Sequence, residues 1–76
     1  MNPRRSAGLT AAIDHLERAK DLIETAKDEE QDAIDNMPES LQDSERCEKM
    51  EAAIDSMEDA IEDINSAIKH VEEAQE

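Results

Sequence analysis

One cysteine and two histidines, Cys47, His15 and His70, are the residues of this chain best suited to reactive or metal chemistry. Cys47 could act as a nucleophile, a metal ligand or an interchain disulfide. It is in phase with a row of apolar residues at steps of three and four, so we favour a small, buried thiol. Pairing the two halves of the chain antiparallel places residue 47 opposite residue 39, far from both histidines. We therefore expect no Cys–His dyad.

The same pairing brings His15 and His70 to nearly the same level, with carboxylates on either side, so a divalent metal site is conceivable there. Di-iron bundles use a Glu-x-x-His motif, but Ala12 and Ala67 occupy the positions three residues before the two histidines. We interpret both histidines as exposed and predict no metal ion and no cofactor. A single glycine also excludes a glycine-rich phosphate loop, and two paired helices offer no enclosed pocket. We predict that the protein is not an enzyme.

Carboxylates recur every three or four residues in the second half of the chain. We predict that these side chains form a partner-binding acidic face: Glu48, Glu51, Asp55, Glu58, Asp59, Glu62 and Asp63. Neighbours at this spacing lie about 5–6 Å apart on a helix, which resembles the phosphates of a nucleic-acid strand. The alternative is an ordinary solvated helix face.

The net charge of −14 limits the classes of partner. Direct binding to nucleic acid or to a membrane surface is not expected, because both are anionic. A basic protein that binds nucleic acid fits the charge. The single cysteine, the lack of an apolar run of 18 residues and the polar N-terminus lead us to expect a cytoplasmic protein with no signal peptide or membrane span.

The apolar residues of the second half predict a long helix. They follow a period of 3.5 residues, which is typical of a coiled coil, and rows of alanines seven residues apart occur in both halves of the chain. We expect an all-α fold, an alanine-rich antiparallel hairpin of two helices in which the alanine rows face each other. The expected boundaries are a flexible tail over 1–7, helix one over 8–36, a connection over 37–43 and helix two over 44–74. On helix one we place the core contacts at Leu9, Leu16, Ile23, Glu30 and Met37 and at the alanine row, with Ile13 and Ile34 widening the stripe.

A single hairpin of 76 residues has little core, so we expect a homodimer with a four-helix core. The apolar face of helix two is three columns wide, and one partner helix covers about two. We predict that self-association uses Met50, Ile54, Met57, Ile61, Ile64, Ile68 and Val71.

The run NMPESLQDSER at 36–46, followed by EKME at 48–51 and the Ile-Asp repeats, resembles a group of small, acidic, uncharacterised helical proteins of Gram-positive bacteria and their phages. The resemblance covers 10–76. It implies a helical hairpin and a mobile-element context, and that group offers no activity to transfer. In architecture the chain is also similar to the small RNA-binding hairpin dimers of plasmid copy control, but it lacks their basic and aromatic contact face.

Two functions follow from these observations. The first is a non-enzymatic interaction module that binds a basic protein partner, as in a nucleic-acid-mimicking phage inhibitor of the anti-restriction or anti-CRISPR type. The alternative is a structural oligomerisation or assembly protein whose charge serves only solubility.

Overall fold

A computed structural model describes residues 1–76 and consists of two antiparallel helices. Helix α1 spans Pro3–Asp35, a 3₁₀ turn spans Glu39–Leu41, and helix α2 spans Glu45–Gln75. The helices pack side by side into a rod of 59 × 14 × 12 Å. The predicted all-α helical hairpin is confirmed.

Helix α1 begins earlier than the sequence pattern indicated. Asn2 caps it, with the side-chain Oδ1 accepting a hydrogen bond of 2.9 Å from the backbone N–H of Arg5. Pro3 occupies the first turn, where a missing N–H costs nothing and the fixed φ favours helix. The expected flexible tail over 1–7 is therefore wrong for residues 3–7, because Asn2 and Pro3 together form a start signal that outweighs the charged pair Arg4–Arg5 and Gly8.

The connection is short because Pro38 follows the end of α1 and directly precedes the 3₁₀ turn. Asn36 is the last residue to continue the α1 hydrogen bonding, and its N–H donates to Asp32. The carbonyl of Pro38 then accepts from the N–H of Leu41 at 2.8 Å, which closes the 3₁₀ turn. Such a short link forces the following helix to run antiparallel to α1.

Helix α2 begins after Ser44, whose Oγ accepts from the N–H of Cys47 at 3.2 Å. At its other end Gln75 connects the two helices. The side-chain Nε2 of Gln75 donates to the Ser6 carbonyl at 3.0 Å and to Thr10 Oγ1 at 2.7 Å. The expected register faces Gln75 with residue 11, so the contact to Thr10 lies one residue away from that expectation.

The covered residues follow a heptad on both helices, with contact positions a and d. Position a holds Ser6, Ile13, Lys20, Lys27 and Ile34 on α1 and Cys47, Ile54, Ile61, Ile68 and Gln75 on α2. Position d holds Leu9, Leu16, Ile23, Glu30 and Met37 on α1 and Met50, Met57, Ile64 and Val71 on α2. All of these residues are buried or half-buried. On α1 the contact column therefore runs through Ile13 and Ile34, and the alanine row lies beside it, with Ala26 and Ala33 exposed. Ala12 and Ala19 are half-buried like Leu16, so the expected core placement of the alanines is corrected for Ala26 and Ala33.

Polar residues interrupt the middle of the α1 contact face. Lys20 and Lys27 occupy a positions and Glu30 a d position, all three half-buried. None of them forms an ion pair. The ion pair of the structure joins Glu45 to Lys49, and a second contact joins His70 to Glu73, both within α2. Partial burial without a charged partner is typical of long side chains whose aliphatic stem covers apolar surface while the charged end reaches solvent.

The core is consequently thin. Only Cys47, Ile54 and Ile68 are buried, with 1, 7 and 9 % of their surfaces exposed. The chain exposes 5676 Å² of surface, whereas a compact monomer of 8.5 kDa exposes about 4,700 Å². A single hairpin thus leaves about 1,000 Å² more surface in contact with water than a compact protein of its mass.

Neither helix combines the length and hydrophobicity that crossing a lipid bilayer requires.

Candidate protein-binding surfaces

The rod has two different long faces, which lie on either side of the contact between α1 and α2. The two-fold axis that relates antiparallel helices is perpendicular to the plane containing both of them. Each heptad position of α1 therefore lies on the same side of the rod as the equivalent position of α2. Positions e and b of both helices form one face of the rod, and positions g and c of both helices form the other.

The e and b positions carry most of the acidic residues, and we call this surface the acidic face. Its carboxylates are Asp14, Glu17, Asp21, Glu24, Asp28 and Asp35 on α1 and Glu48, Glu51, Asp55, Glu58, Glu62 and Glu72 on α2. Eleven of these twelve residues are exposed and Glu24 is half-buried. None of the twelve takes part in an ion pair. Lys69 is the single basic residue at these positions, so the acidic face is a surface of largely uncompensated negative charge.

Five of the seven carboxylates predicted to bind a partner lie on this face. The 100° step between residues places Asp59 on the outer surface of α2 and Asp63 on the opposite flank of the rod, although both are exposed. The prediction also missed the α1 half of the face. A repeat of acidic residues at steps of three and four, from Asp14 to Asp28, is visible in the sequence. The repeat lies beside the α2 carboxylates because of how α1 is rotated about its own axis, and the packing of the two helices sets that rotation.

The g and c positions form the second surface, which we call the alanine face. Its g positions hold Arg5, Ala12, Ala19, Ala26 and Ala33 on α1 and Arg46, Ala53, Ala60, Ala67 and Ala74 on α2. Its outer c positions carry two carboxylates, Glu29 and Asp63, and also Lys49, His15 and His70. They also include Leu22, which is 72 % exposed and the most exposed large apolar side chain of the chain. This side of a strongly acidic rod is therefore nearly free of negative charge.

The structure divides the residues predicted for self-association between two environments. Ile54 and Ile68 are buried within the single hairpin, so α1 already covers them. Met50, Met57, Ile64 and Val71 are half-buried at d positions, next to the alanine row. Ile61 is half-buried in the a column. The members of this set that keep accessible surface are thus Ile61 and the d column, and the d column borders the alanine face.

Cys47 is enclosed at the turn end of the rod. Its Sγ lies 3.5 Å from Glu51 Oε1, to which the thiol donates a hydrogen bond. Burial, the hydrogen bond and the charge of Glu51 all disfavour the thiolate and raise the pKa of Cys47 above its ordinary value of 9.0. A shielded, protonated thiol is a poor nucleophile.

We expect Cys47 to resist alkylation in the folded hairpin. Iodoacetamide at pH 8 should label it at least about tenfold more slowly than in urea, because the thiol is buried and its pKa is raised. Mass spectrometry of labelled protein against time measures the two rates. Because the folded pKa is the higher one, ionisation of this thiol should also destabilise the hairpin only as pH rises past 9.0. Equal rates in buffer and urea would contradict the enclosed position of Cys47.

The two histidines are exposed at the open end of the rod. His70 Nδ1 lies 3.8 Å from Glu73 Oε2 on its own helix. No group of three or more His, Cys, Asp or Glu side chains is arranged to hold a metal ion, and the rod contains no cavity.

Comparison of the chain with protein-family models, curated proteins and solved structures found no match.

Proposed function

We propose that this protein is a non-enzymatic interaction module that binds a basic, nucleic-acid-binding protein through the acidic face. The single observation that carries the proposal is the segregation of charge. Twelve carboxylates line one side of the rod without an ion pair, while the opposite side holds only two carboxylates beside the basic residues Arg5, Arg46 and Lys49. Charges needed only for solubility could be distributed around the rod. Collecting them on one side costs stability through like-charge repulsion.

The density of the charges favours mimicry of a nucleic-acid strand. Glu48 and Glu72 are 24 residues apart, or about 36 Å at 1.5 Å per residue. The twelve carboxylates of the acidic face occupy about this length, which gives one negative charge per ~3 Å. A single DNA strand carries one charge per ~3.4 Å and a duplex one per ~1.7 Å. The face thus resembles one strand more closely than a duplex, as expected of a phage inhibitor that occupies the strand-binding cleft of a host enzyme.

Substitution of the α2 part of the face tests this function. The variant combines Glu51→Gln, Asp55→Asn, Glu58→Gln and Glu62→Gln, which removes four charges and keeps side-chain size. Immobilised protein is exposed to a nuclease-treated host lysate, and bound proteins are eluted first with single-stranded DNA and then with salt. We expect the original chain to retain a basic protein that single-stranded DNA displaces. The variant should lose most of that binding, because electrostatic association depends steeply on complementary charge.

A matched control removes four charges from the outer surface instead: Asp32→Asn, Glu45→Gln, Asp59→Asn and Glu73→Gln. Its net charge equals that of the first variant, so retained binding would assign recognition to the acidic face. Equal loss in both variants would show that only net charge matters. Binding that holds or tightens as salt is raised would also contradict the proposal, since screening weakens contacts between exposed charges.

The second candidate function is structural. In this function the hairpin is an assembly protein that binds only copies of itself. The exposed apolar surface favours it, including Leu22, whose surface is 72 % exposed. Retention of the chain alone at both low and moderate salt would support this candidate over the first.

A further inference from the structure

We propose that a second copy of this chain docks on the alanine face, so that two hairpins form a four-helix bundle with one acidic face on each outer side. The docking surface consists of the alanine rows, the d column of α2 and Leu22 at its rim. This inference does not depend on the proposed function, because it concerns the opposite side of the rod.

The exposed area of a single hairpin matches what such a dimer would cover. The rod exposes about 1,000 Å² more than a compact monomer of its mass. A stable interface of standard size buries about 800 Å² on each partner. Covering one long face of the rod therefore removes most of the excess and brings the chain to the surface area of a compact protein.

The distribution of charge identifies the face and the occupant. Two chains of net charge −14 repel each other, and contact through the acidic faces would bring 24 carboxylates together without counter-ions. Contact through the alanine faces places the acidic faces on opposite sides, as far apart as the bundle allows. Small side chains also let helix backbones approach closely, so that the half-buried d residues of both copies can complete one core.

The position of Leu22 fits a symmetric contact. It lies within one turn of Ala19, the middle residue of α1 (Pro3–Asp35). In a two-fold dimer the same patch is used by both copies. A residue near the middle of the rod then lies near the axis, where the two Leu22 side chains cover each other.

Sedimentation equilibrium over a range of protein concentrations tests the proposal. We expect the original chain to reach twice its mass of 8.5 kDa and the dimer to tighten as salt is raised, because salt screens repulsion between the copies. The double variant Ala26→Glu, Ala33→Glu should raise the dissociation constant at least about tenfold, since it places unpaired charges in the interface. Both alanines are exposed in the single hairpin, so its helices should form normally.

The control variant Gln31→Glu, Asn65→Glu adds the same two charges on the acidic face, and it should change the dissociation constant far less. A separate variant, Leu22→Glu, should weaken the dimer in the same direction as the alanine substitutions. Circular dichroism verifies helicity in each case. A chain that stays monomeric at every concentration would overturn the proposal, as would equal weakening by the two double variants. Loss of partner binding in the acidic-face variant would not bear on the proposed dimer.

Discussion

Ile54→Ala is expected to destabilise the hairpin by about 3 kcal/mol, the usual cost of removing a buried isoleucine side chain from a packed contact. Ile54 is one of only three buried residues and is 7 % exposed. A domain of this length has a total stability of only about 4–11 kcal/mol, so this one substitution removes a large share of it. Urea denaturation followed by circular dichroism measures the change in the free energy of unfolding.

Leu22→Ala is the matched control, because it removes a comparable side chain that is 72 % exposed. Its free energy of unfolding should change by no more than about 0.5 kcal/mol. The measurement is made at a protein concentration low enough to keep the chain monomeric, so that it reports only the stability of the single hairpin. Similar losses in the two variants would show that the a column of α2 does not face α1.

Replacing Lys20 and Lys27 with isoleucine is expected to raise the midpoint of thermal unfolding by about 5–10 °C. Both lysines are half-buried at a positions without an ion pair. Isoleucine would extend the column formed by Ile13 and Ile34 towards Ile54 and Ile61. Half-burial of two such side chains contributes about 1–2 kcal/mol, which corresponds to that shift for a chain of this size.

The control for this prediction is the double variant Lys49→Ile, Lys69→Ile, which removes two positive charges from exposed positions of α2. Its midpoint should not rise. If both double variants were equally stabilised, a general effect of hydrophobicity would explain the result, and the contact positions of α1 would be wrong. A lysine at an a position lowers stability but restricts register and oligomeric state. We therefore also expect the stabilised chain to form a broader range of oligomers by sedimentation.

The sequence alone was sufficient for the architecture. Heptad spacing predicted both helices because it depends on local chain geometry, and the short connection over 37–43 fits their antiparallel arrangement. The start of α1 was misjudged because the short-range signal of Asn2 and Pro3 competes with the charged pair Arg4–Arg5 and Gly8. Ser44, a residue type favoured at helix N-caps, caps α2 at the boundary expected from the sequence.

The candidate surfaces depended on the tertiary structure. Helix α2 carries three apolar columns and α1 covers only part of them, so local spacing cannot decide which column is buried. The structure buries Cys47, Ile54 and Ile68 and thereby sets the rotation of each helix about its axis. That rotation places the α1 carboxylates beside those of α2 and both alanine rows on the other side. It is set by the long-range packing of the two helices, which the periodicity of either helix does not contain.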